Sequence, residues 1–171
     1  MAWTDQPSPT FERSFAQYHW LSRGIWRPGA WDLNLAAFLD RRPIGSQSLH
    51  GKEFAVLREV GTGSWITRSE QGKGYGKELR LAVLALAFDG LGAEVATSAA
   101  FLDNAQSGGV SRALGYEPDG HLRQAPRGVA RELRRYRMTR QMWRSRERPP
   151  VEIVGLDGCL ELFGVGPQTG R

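Results

Sequence analysis

The sequence contains a single cysteine, Cys159, and only three histidines among its 171 residues. One cysteine cannot form an intramolecular disulfide and cannot supply the several thiolates of a cysteine-based zinc site. His19, His50 and His121 are scattered without metal-ligand spacing, so we predict no metal site and expect these residues on the surface or in a hairpin. Cys159 lies in an apolar stretch, which favours a packed position over a catalytic thiol.

Long apolar runs are also missing. No stretch approaches the roughly 18 residues that a membrane-spanning helix needs, and the polar, proline-containing residues 1–13 do not resemble a secretory signal. The composition, with 40% hydrophobic and 24% charged residues, is typical of one globular domain. We therefore expect a cytoplasmic protein that does not act at a membrane.

Positive charge is the main compositional bias. The formal net charge is +5, and ten arginines lie between residues 123 and 148. Such a cluster suits an anionic partner, which could be nucleic acid, a membrane surface or a phosphate-rich cofactor, and it could equally reflect a GC-rich genome. The arginines match no nucleic-acid motif and are not interleaved with exposed aromatic residues, so nucleic acid is not the favoured partner.

Hydrophobic periodicity predicts an α+β, or mixed α/β, fold. Helices are predicted over residues 9–20, 79–90, 105–114 and 139–144, and strands over residues 31–39, 43–50, 54–66, 93–102, 116–123 and 129–138. The first three strands would form an antiparallel meander. The strand–turn–helix–strand order in the middle of the chain predicts a parallel pair joined by a right-handed crossover. Prolines 149–150 divide a domain, residues 1–148, from a tail, residues 149–171, in which residues 151–165 could add a strand.

A glycine-rich segment, QGKGYG at residues 71–76, separates a predicted strand from the clearest predicted helix. Its glycines allow backbone conformations that are closed to other residues and let a ligand approach closely. Exposed amides at the start of a helix form a phosphate site, and Lys73 and Lys77 add positive charge. The same glycines would also serve a purely structural strand-to-helix turn. The spacing matches neither a P-loop nor the dinucleotide fingerprint.

Three segments, in order, resemble the GNAT superfamily of acyl-CoA N-acyltransferases. The segment Gln71-Gly72-Lys73-Gly74-Tyr75-Gly76 matches its Gln/Arg-x-x-Gly-x-Gly/Ala signature, and Asp103-Asn104-Ala105-Gln106-Ser107 with Leu114-Gly115-Tyr116 resembles its Asn-x-x-Ser and Leu-Gly-Tyr/Phe segment. The segment Ser64-Trp65-Ile66 is similar to a strand of the branch that acetylates ribosomal-protein N-termini. The resemblance covers roughly residues 31–140 and implies a mostly antiparallel sheet with one splayed parallel pair, flanked by helices.

The resemblance also implies a reaction. The donor would be acetyl-CoA or another short acyl-CoA, and the acceptor a primary amine on a protein N-terminus or a small molecule. The implied cofactor-binding residues are Trp65, Ile66, Thr67, Gln71, Gly72, Lys73, Gly74, Tyr75, Gly76 and Asn104. A backbone N–H before the turn would hold the thioester oxygen. Ser107 or Tyr116 would protonate the leaving thiolate, and Glu59 would act as the base, directly or through water.

The chain departs from the family pattern at two places. It has no counterpart of the usual first strand and helix, so we expect an N-terminally short domain whose open sheet edge is covered by the tail or by a partner. The pair Gly108-Gly109 stands where larger, often basic residues are usual. These departures leave open a non-catalytic acyl-CoA-binding sensor or assembly protein. The arginine cluster leaves open an RNA- or ribosome-binding module, and assembly as a homodimer also stays open.

Four tryptophans crowd the N-terminal third of the chain: Trp3, Trp20, Trp26 and Trp31. In the family this region faces the acceptor. The tryptophans could line an apolar acceptor pocket or pack in the core, and the sequence favours the core.

Overall fold

The computed structural model describes residues 5–166 of the chain. Within them, six strands form one sheet: β1 Ala30–Leu39, β2 Arg42–Lys52, β3 Glu59–Ile66, β4 Val95–Phe101, β5 Glu117–Gln124 and β6 Arg131–Thr139. Their spatial order is β1-β2-β3-β4-β6-β5, and every neighbouring pair is antiparallel except β3 with β4. The predicted mixed α/β fold, mostly antiparallel with one parallel pair, is confirmed.

Five α-helices accompany the sheet in the described part of the chain: α1 Thr10–Gly24, α2 Phe54–Leu57, α3 Tyr75–Ala85, α4 Ala105–Leu114 and α5 Arg140–Arg144. The helix α3 continues into a wider helical turn over Leu86–Gly90. The helix α4 has the predicted bounds, because Asn104 caps its start and Gly115 ends it with a φ of 94°. None of the helices in residues 5–166 is long and apolar enough to cross a membrane.

The parallel strands β3 and β4 pair over only three residues, from Glu59 opposite Val95 to Gly61 opposite Thr97. Next to the last pair, the Thr62 hydroxyl donates a hydrogen bond to the Thr97 carbonyl at 3.0 Å. Beyond that point β3 and β4 continue without pairing to each other, so the strands splay apart. The splay leaves backbone groups on the facing edges of both strands available to a ligand.

The prediction of one strand over residues 54–66 is wrong, because α2 precedes β3. Glu53 and Arg58, on either side of α2, have φ angles of 50° and 49°, which interrupt an extended chain. The Phe54 side chain is completely buried, and its ring centroid lies 5.4 Å from that of Trp31. Burial of an aromatic side chain by a helical turn looks the same in the hydrophobic pattern as burial by a strand.

The prediction of a strand in the tail is also wrong, because its described part forms a 3-10 helix over Asp157–Phe163. The Phe163 ring packs edge-on against the rings of Trp26 and Trp31, with centroid distances of 5.2 and 5.0 Å. The two indole N–H groups donate to the carbonyls of Leu162 and Phe163, at 2.8 and 3.3 Å. The tail thus completes the core beside β1 and α3 without pairing with the edge strand. The domain boundary after residue 148 stays a prediction.

The hydrophobic core is one continuous cluster that joins the sheet to α3 and to the helical turn that follows it. Leu49, Leu84 and Met138 have no exposed surface and represent β2, α3 and β6 in this cluster. Cys159 is partly buried against the core, as expected for a packed cysteine. The core leaves the splay between β3 and β4 and the turn before α3 at its margin.

Candidate active site

The glycine turn before α3 forms an open hollow. Gly72 and Gly74 have φ angles of 78° and 95°, which other residues adopt only at a cost. A Cβ atom built on either glycine would meet no atom within 4 Å. No backbone N–H of residues 72–74 donates to a described backbone acceptor, and the N–H groups of Tyr75 and Gly76 start a helix and therefore lack intrahelical acceptors. This geometry fits a diphosphate.

Glu70 is a buried carboxylate at this turn that the sequence pattern did not identify. It is 5% exposed and accepts hydrogen bonds from Arg42 at 2.8 Å and from Lys73 at 2.9 Å. These two hydrogen bonds lower the pKa of the Glu70 carboxyl, and the bond from Arg42 has the larger effect. Lys73 is therefore tied to Glu70, whereas Lys77 makes no ion pair with the described residues.

A cavity of about 540 Å³, here called the donor cleft, extends from the glycine turn between α3 and α4 to the end of β3. Ser107, the proposed acid, lines the cleft. Most of the predicted cofactor-binding residues also line it: Trp65, Ile66, Gln71, Gly72, Gly74, Gly76 and Asn104. Thr67, Lys73 and Tyr75 are not among its lining residues. The Gln71 side chain donates to the Ile66 carbonyl at 2.9 Å and so joins the turn to the end of β3.

The three predicted catalytic residues are not brought together. Ser107 lines the donor cleft, and its N–H donates to the Asn104 side chain at 3.0 Å. Tyr116 is 4% exposed and is not a lining residue. Burial raises the pKa of its phenol, an effect that the neighbouring Arg80 and Thr62 oppose. Glu59 begins β3, six residues before Trp65, and a strand of that length spans roughly 20 Å. The structure does not bring Glu59 to the cleft.

The glycine pair in α4 has a packing explanation. A Cβ on Gly108 would lie 2.8 Å from the Tyr136 hydroxyl, so a larger residue there would displace this buried tyrosine. Gly109 lines the donor cleft, and a Cβ there would meet nothing within 4 Å. The pair therefore allows close packing on one side of α4 and widens the cleft on the other.

Arg80 is a buried cation in the wall of the donor cleft. It is 3% exposed, and its two terminal nitrogens donate to the hydroxyls of Ser98 at 2.8 Å and Ser64 at 3.3 Å. Among the described residues it has no ion pair, and its Nε has no hydrogen-bond partner. The sequence offered no signal for this position, because arginine on a helix usually faces solvent.

A second cavity, of about 490 Å³, shares Ser64 and Trp65 with the donor cleft. Its other walls come from α1 and from β1 to β3: Phe11, Ser14, Phe15, Tyr18, His19, Asn34, Ser46, Ser48 and Gly63. No carboxylate from residues 5–166 lines it. The two cavities therefore meet at the end of β3.

His19 occupies a different environment from the one expected for it. Its ring contacts those of Phe15 and Tyr18, with centroid distances of 4.5 and 5.2 Å. Burial, followed by the charge on Arg23, lowers the pKa of this imidazole below its usual value of 6.5. His19 is thus a neutral group in the wall of the second cavity at neutral pH.

Of the tryptophans in the N-terminal third, Trp20, Trp26 and Trp31 do not line the second cavity. Trp26 and Trp31 pack in the core with Phe163, Trp20 is 68% exposed, and Trp3 lies outside the described residues.

Among residues 5–166, no three or more His, Cys, Asp and Glu side chains are grouped closely enough to hold a metal ion. The arginine cluster is partly neutralised, because Arg127, Arg131, Arg135 and Arg140 pair with Asp5, Asp103, Asp119 and Glu94.

Comparison with known proteins gives the following matches. A family model described as an acetyltransferase (GNAT) domain matches residues 1–117. A putative acetyltransferase from T. thermophilus is 25% identical, with a TM-score of 0.67 over 81% of this chain and 72% of its own. A chimera of the Vibrio cholerae spermidine N-acetyltransferase SpeG and hSSAT is 18% identical, with a TM-score of 0.67 over 83% and 87% of the two chains. A dodecameric spermidine N-acetyltransferase from Vibrio cholerae is 18% identical, with a TM-score of 0.64 over 85% of each chain.

Proposed function

The chain belongs to the GNAT acetyltransferase family, and on that premise we propose that it transfers an acetyl or similar short acyl group from coenzyme A to a primary amine. The open glycine turn carries this proposal, because its unengaged amides and the start of α3 fit a diphosphate. The residues that would hold the donor are Trp65, Ile66, Gln71, Gly72, Gly74, Gly76, Lys77 and Asn104.

Coenzyme A would supply an acyl group activated as a thioester. The facing edge of β3 beyond Gly61, which does not pair with β4, would bind the pantetheine arm and direct a backbone N–H at the thioester oxygen. Ser107 is our first candidate for the proton donor because it lines the donor cleft, and its backbone is held by the helix-capping hydrogen bond from its N–H to the Asn104 side chain. Tyr116 remains the second candidate.

The second cavity is the proposed acceptor site, because both cavities are lined by Ser64 and Trp65. His19 takes the place of Glu59 as the proposed base, since a neutral imidazole in the cavity wall can accept a proton from the incoming ammonium group. The aromatic and hydroxyl walls suit an amine on an apolar group, whereas a polyamine would need carboxylates. The resemblance of Ser64-Trp65-Ile66 to the ribosomal-protein branch keeps a protein α-amino group as an acceptor in this proposal.

Binding of coenzyme A is the first test. At 100 times its dissociation constant, coenzyme A should raise the free energy of unfolding by about 2.7 kcal/mol, measured by urea denaturation. The variant Gly76→Leu should lower the affinity at least tenfold, because its side chain would enter the donor cleft. Its backbone is not strained by a side chain, and the nearest atom to a new Cβ is 3.8 Å away on Val110.

The unliganded Gly76→Leu protein should be as stable as the native protein or up to about 1 kcal/mol more stable, because leucine favours a helix over glycine. Gly24→Leu, at the end of α1 and in open space, is the matched control with unchanged affinity. Turnover is then followed as thiol release from acetyl-CoA with aromatic amines, N-terminal peptides and spermidine. No stabilisation by coenzyme A, or native affinity in Gly76→Leu, would contradict the proposal.

A further inference from the structure

Arg80 carries a positive charge that the described part of the protein does not neutralise. Arg80 is 3% exposed, and it donates hydrogen bonds to the neutral hydroxyls of Ser98 and Ser64. Its Nε has no hydrogen-bond partner within residues 5–166. An unpaired buried cation is costly, and arginine cannot relieve that cost by losing its proton. The position therefore fits an anionic group that residues 5–166 do not supply.

The location of Arg80 separates it from the groups at the glycine turn. Arg80 follows Gly74, the residue that precedes α3, by six positions, which corresponds to about 9 Å along a helix. Its partners Ser64 and Ser98 lie on β3 and β4 beyond the last paired residues. The guanidinium thus bridges the two strands where they have splayed, at the end of the donor cleft that meets the second cavity.

We propose that Arg80 is a further catalytic residue, which stabilises the negative charge that acyl transfer leaves on the sulfur of coenzyme A. The inference rests on the proposed function. In the transfer the amine nitrogen bonds to the acyl carbon, the C–S bond breaks with its electron pair on sulfur, and the proton lost by the amine balances the proton gained by the thiolate. A fixed cation at the point where charge develops contributes strongly to catalysis in a site poor in water.

Tyr116 supports this assignment. The buried phenol lies beside Arg80, and burial raises its pKa, so it stays protonated and does not neutralise the guanidinium. Its oxygen makes no hydrogen bond of ordinary geometry to a described residue. The charge of Arg80, which lines the donor cleft, therefore stands beside a neutral phenol that does not line it.

The test measures the thiol pKa of coenzyme A bound to the intact chain, from the ultraviolet absorbance of the thiolate across a pH series. In the native protein we expect this pKa to lie about one unit or more below that of unbound coenzyme A, equivalent to a tenfold gain in thiolate. Arg80→Met should remove the shift. Arg80→Lys should keep part of it, because the charge remains while the planar fork is lost. Arg112→Met, on α4 outside the lining of the cleft, is the matched control and should keep the full shift.

Each outcome decides the proposal. If Arg80→Met does not fold, the native protein and Arg80→Lys still provide the comparison with unbound coenzyme A. Bound coenzyme A with an ordinary thiol pKa in the native protein would overturn the role of Arg80 and leave the proposed function intact, whereas failure of coenzyme A to bind would overturn both. A selective loss of succinyl-CoA affinity in Arg80→Met, with an unchanged thiol pKa, would show that Arg80 recognises an acyl carboxylate and would also overturn it.

Discussion

At the scale of single residues, the imidazole of His19 connects the second cavity to the pH dependence of stability. Burial and the charge on Arg23 lower its pKa in the folded protein. A histidine in an unfolded chain titrates near pH 6.5, so the unfolded chain binds the proton at a higher pH than the folded chain does. Between the two pKa values the unfolded state holds more protons, and acidification through this interval therefore destabilises the fold.

We expect His19→Gln to lose less stability on acidification than the native protein. The free energy of unfolding, measured by urea denaturation from about pH 7.5 to pH 5.5, should fall more steeply in the native protein because only it titrates at this site. Arg23→Gln should raise the His19 pKa of the folded protein part of the way towards 6.5 and so reduce the loss of stability on acidification. This reduction should be smaller than in His19→Gln, because the charge of Arg23 is the lesser cause of the lowered pKa. Equal slopes in native protein and His19→Gln would show that folding does not hinder protonation of His19.

The sequence predicts the local conformation of residues that belong to a short backbone motif. The hollow at Gly72 and Gly74 and the cap at Asn104 depend on neighbours within a few positions, so the motif specifies them. Arg80 and His19 depend on which helix face meets the sheet, and this is decided by packing between distant segments. Glu59 has the predicted spacing to Trp65 along one strand, but it lies at the paired end of β3 and not at the splayed end, which periodicity alone does not predict.

At the scale of secondary-structure elements, the tail helix should matter for stability through Phe163. We expect Phe163→Ala to lower the free energy of unfolding by about 3–5 kcal/mol, because it empties a buried site between two indole rings. Leu162→Ala is the matched control, since this neighbour is 53% exposed and should cost less than about 0.5 kcal/mol. Both variants keep the carbonyls that accept from Trp26 and Trp31. Equal small losses in urea denaturation would mean that the tail does not pack as described.

The sequence predicts the bounds of an element that has local start and stop signals, but it does not predict the type of an element that depends on distant contacts. α4 has a capping asparagine and a closing glycine, and its bounds agree with the prediction. α2 and the tail helix carry the same hydrophobic pattern as a strand. They fold differently because Phe54 and Phe163 both turn into the aromatic cluster around Trp31, which sequence periodicity does not encode.

At the scale of the whole molecule, the net charge of +5 is distributed so that four clustered arginines have acidic partners. We expect nonspecific RNA binding to be weak and to be lost between about 50 and 200 mM salt. Stabilisation by coenzyme A should persist over that range, because the amides and Arg80 that would bind it lie in a cleft. Fluorescence anisotropy with labelled RNA and thermal unfolding with coenzyme A, in the same buffers, compare the two. RNA binding that survives salt and competes with coenzyme A would favour the nucleic-acid function.

The order of helices and strands along the chain predicts most of the fold. Short connections predict antiparallel neighbours for β1 to β3, and the crossover through α3 predicts the parallel pair. The insertion of β6 between β4 and β5 follows once the final hairpin pairs back onto the sheet. The splay could be expected only from the family resemblance, because hydrophobic periodicity does not report where two paired strands separate.

The indole contacts of the tail also determine when the chain can finish folding during translation. Trp26 and Leu162 are 136 residues apart, and Trp31 and Phe163 are 132 residues apart. At a synthesis rate of about 5–20 residues per second, the two indoles are made roughly 7 to 27 seconds before their partners. Throughout that interval the indole faces that Phe163 covers in the folded chain have no partner from the tail, so this part of the core closes only after the tail has been synthesised.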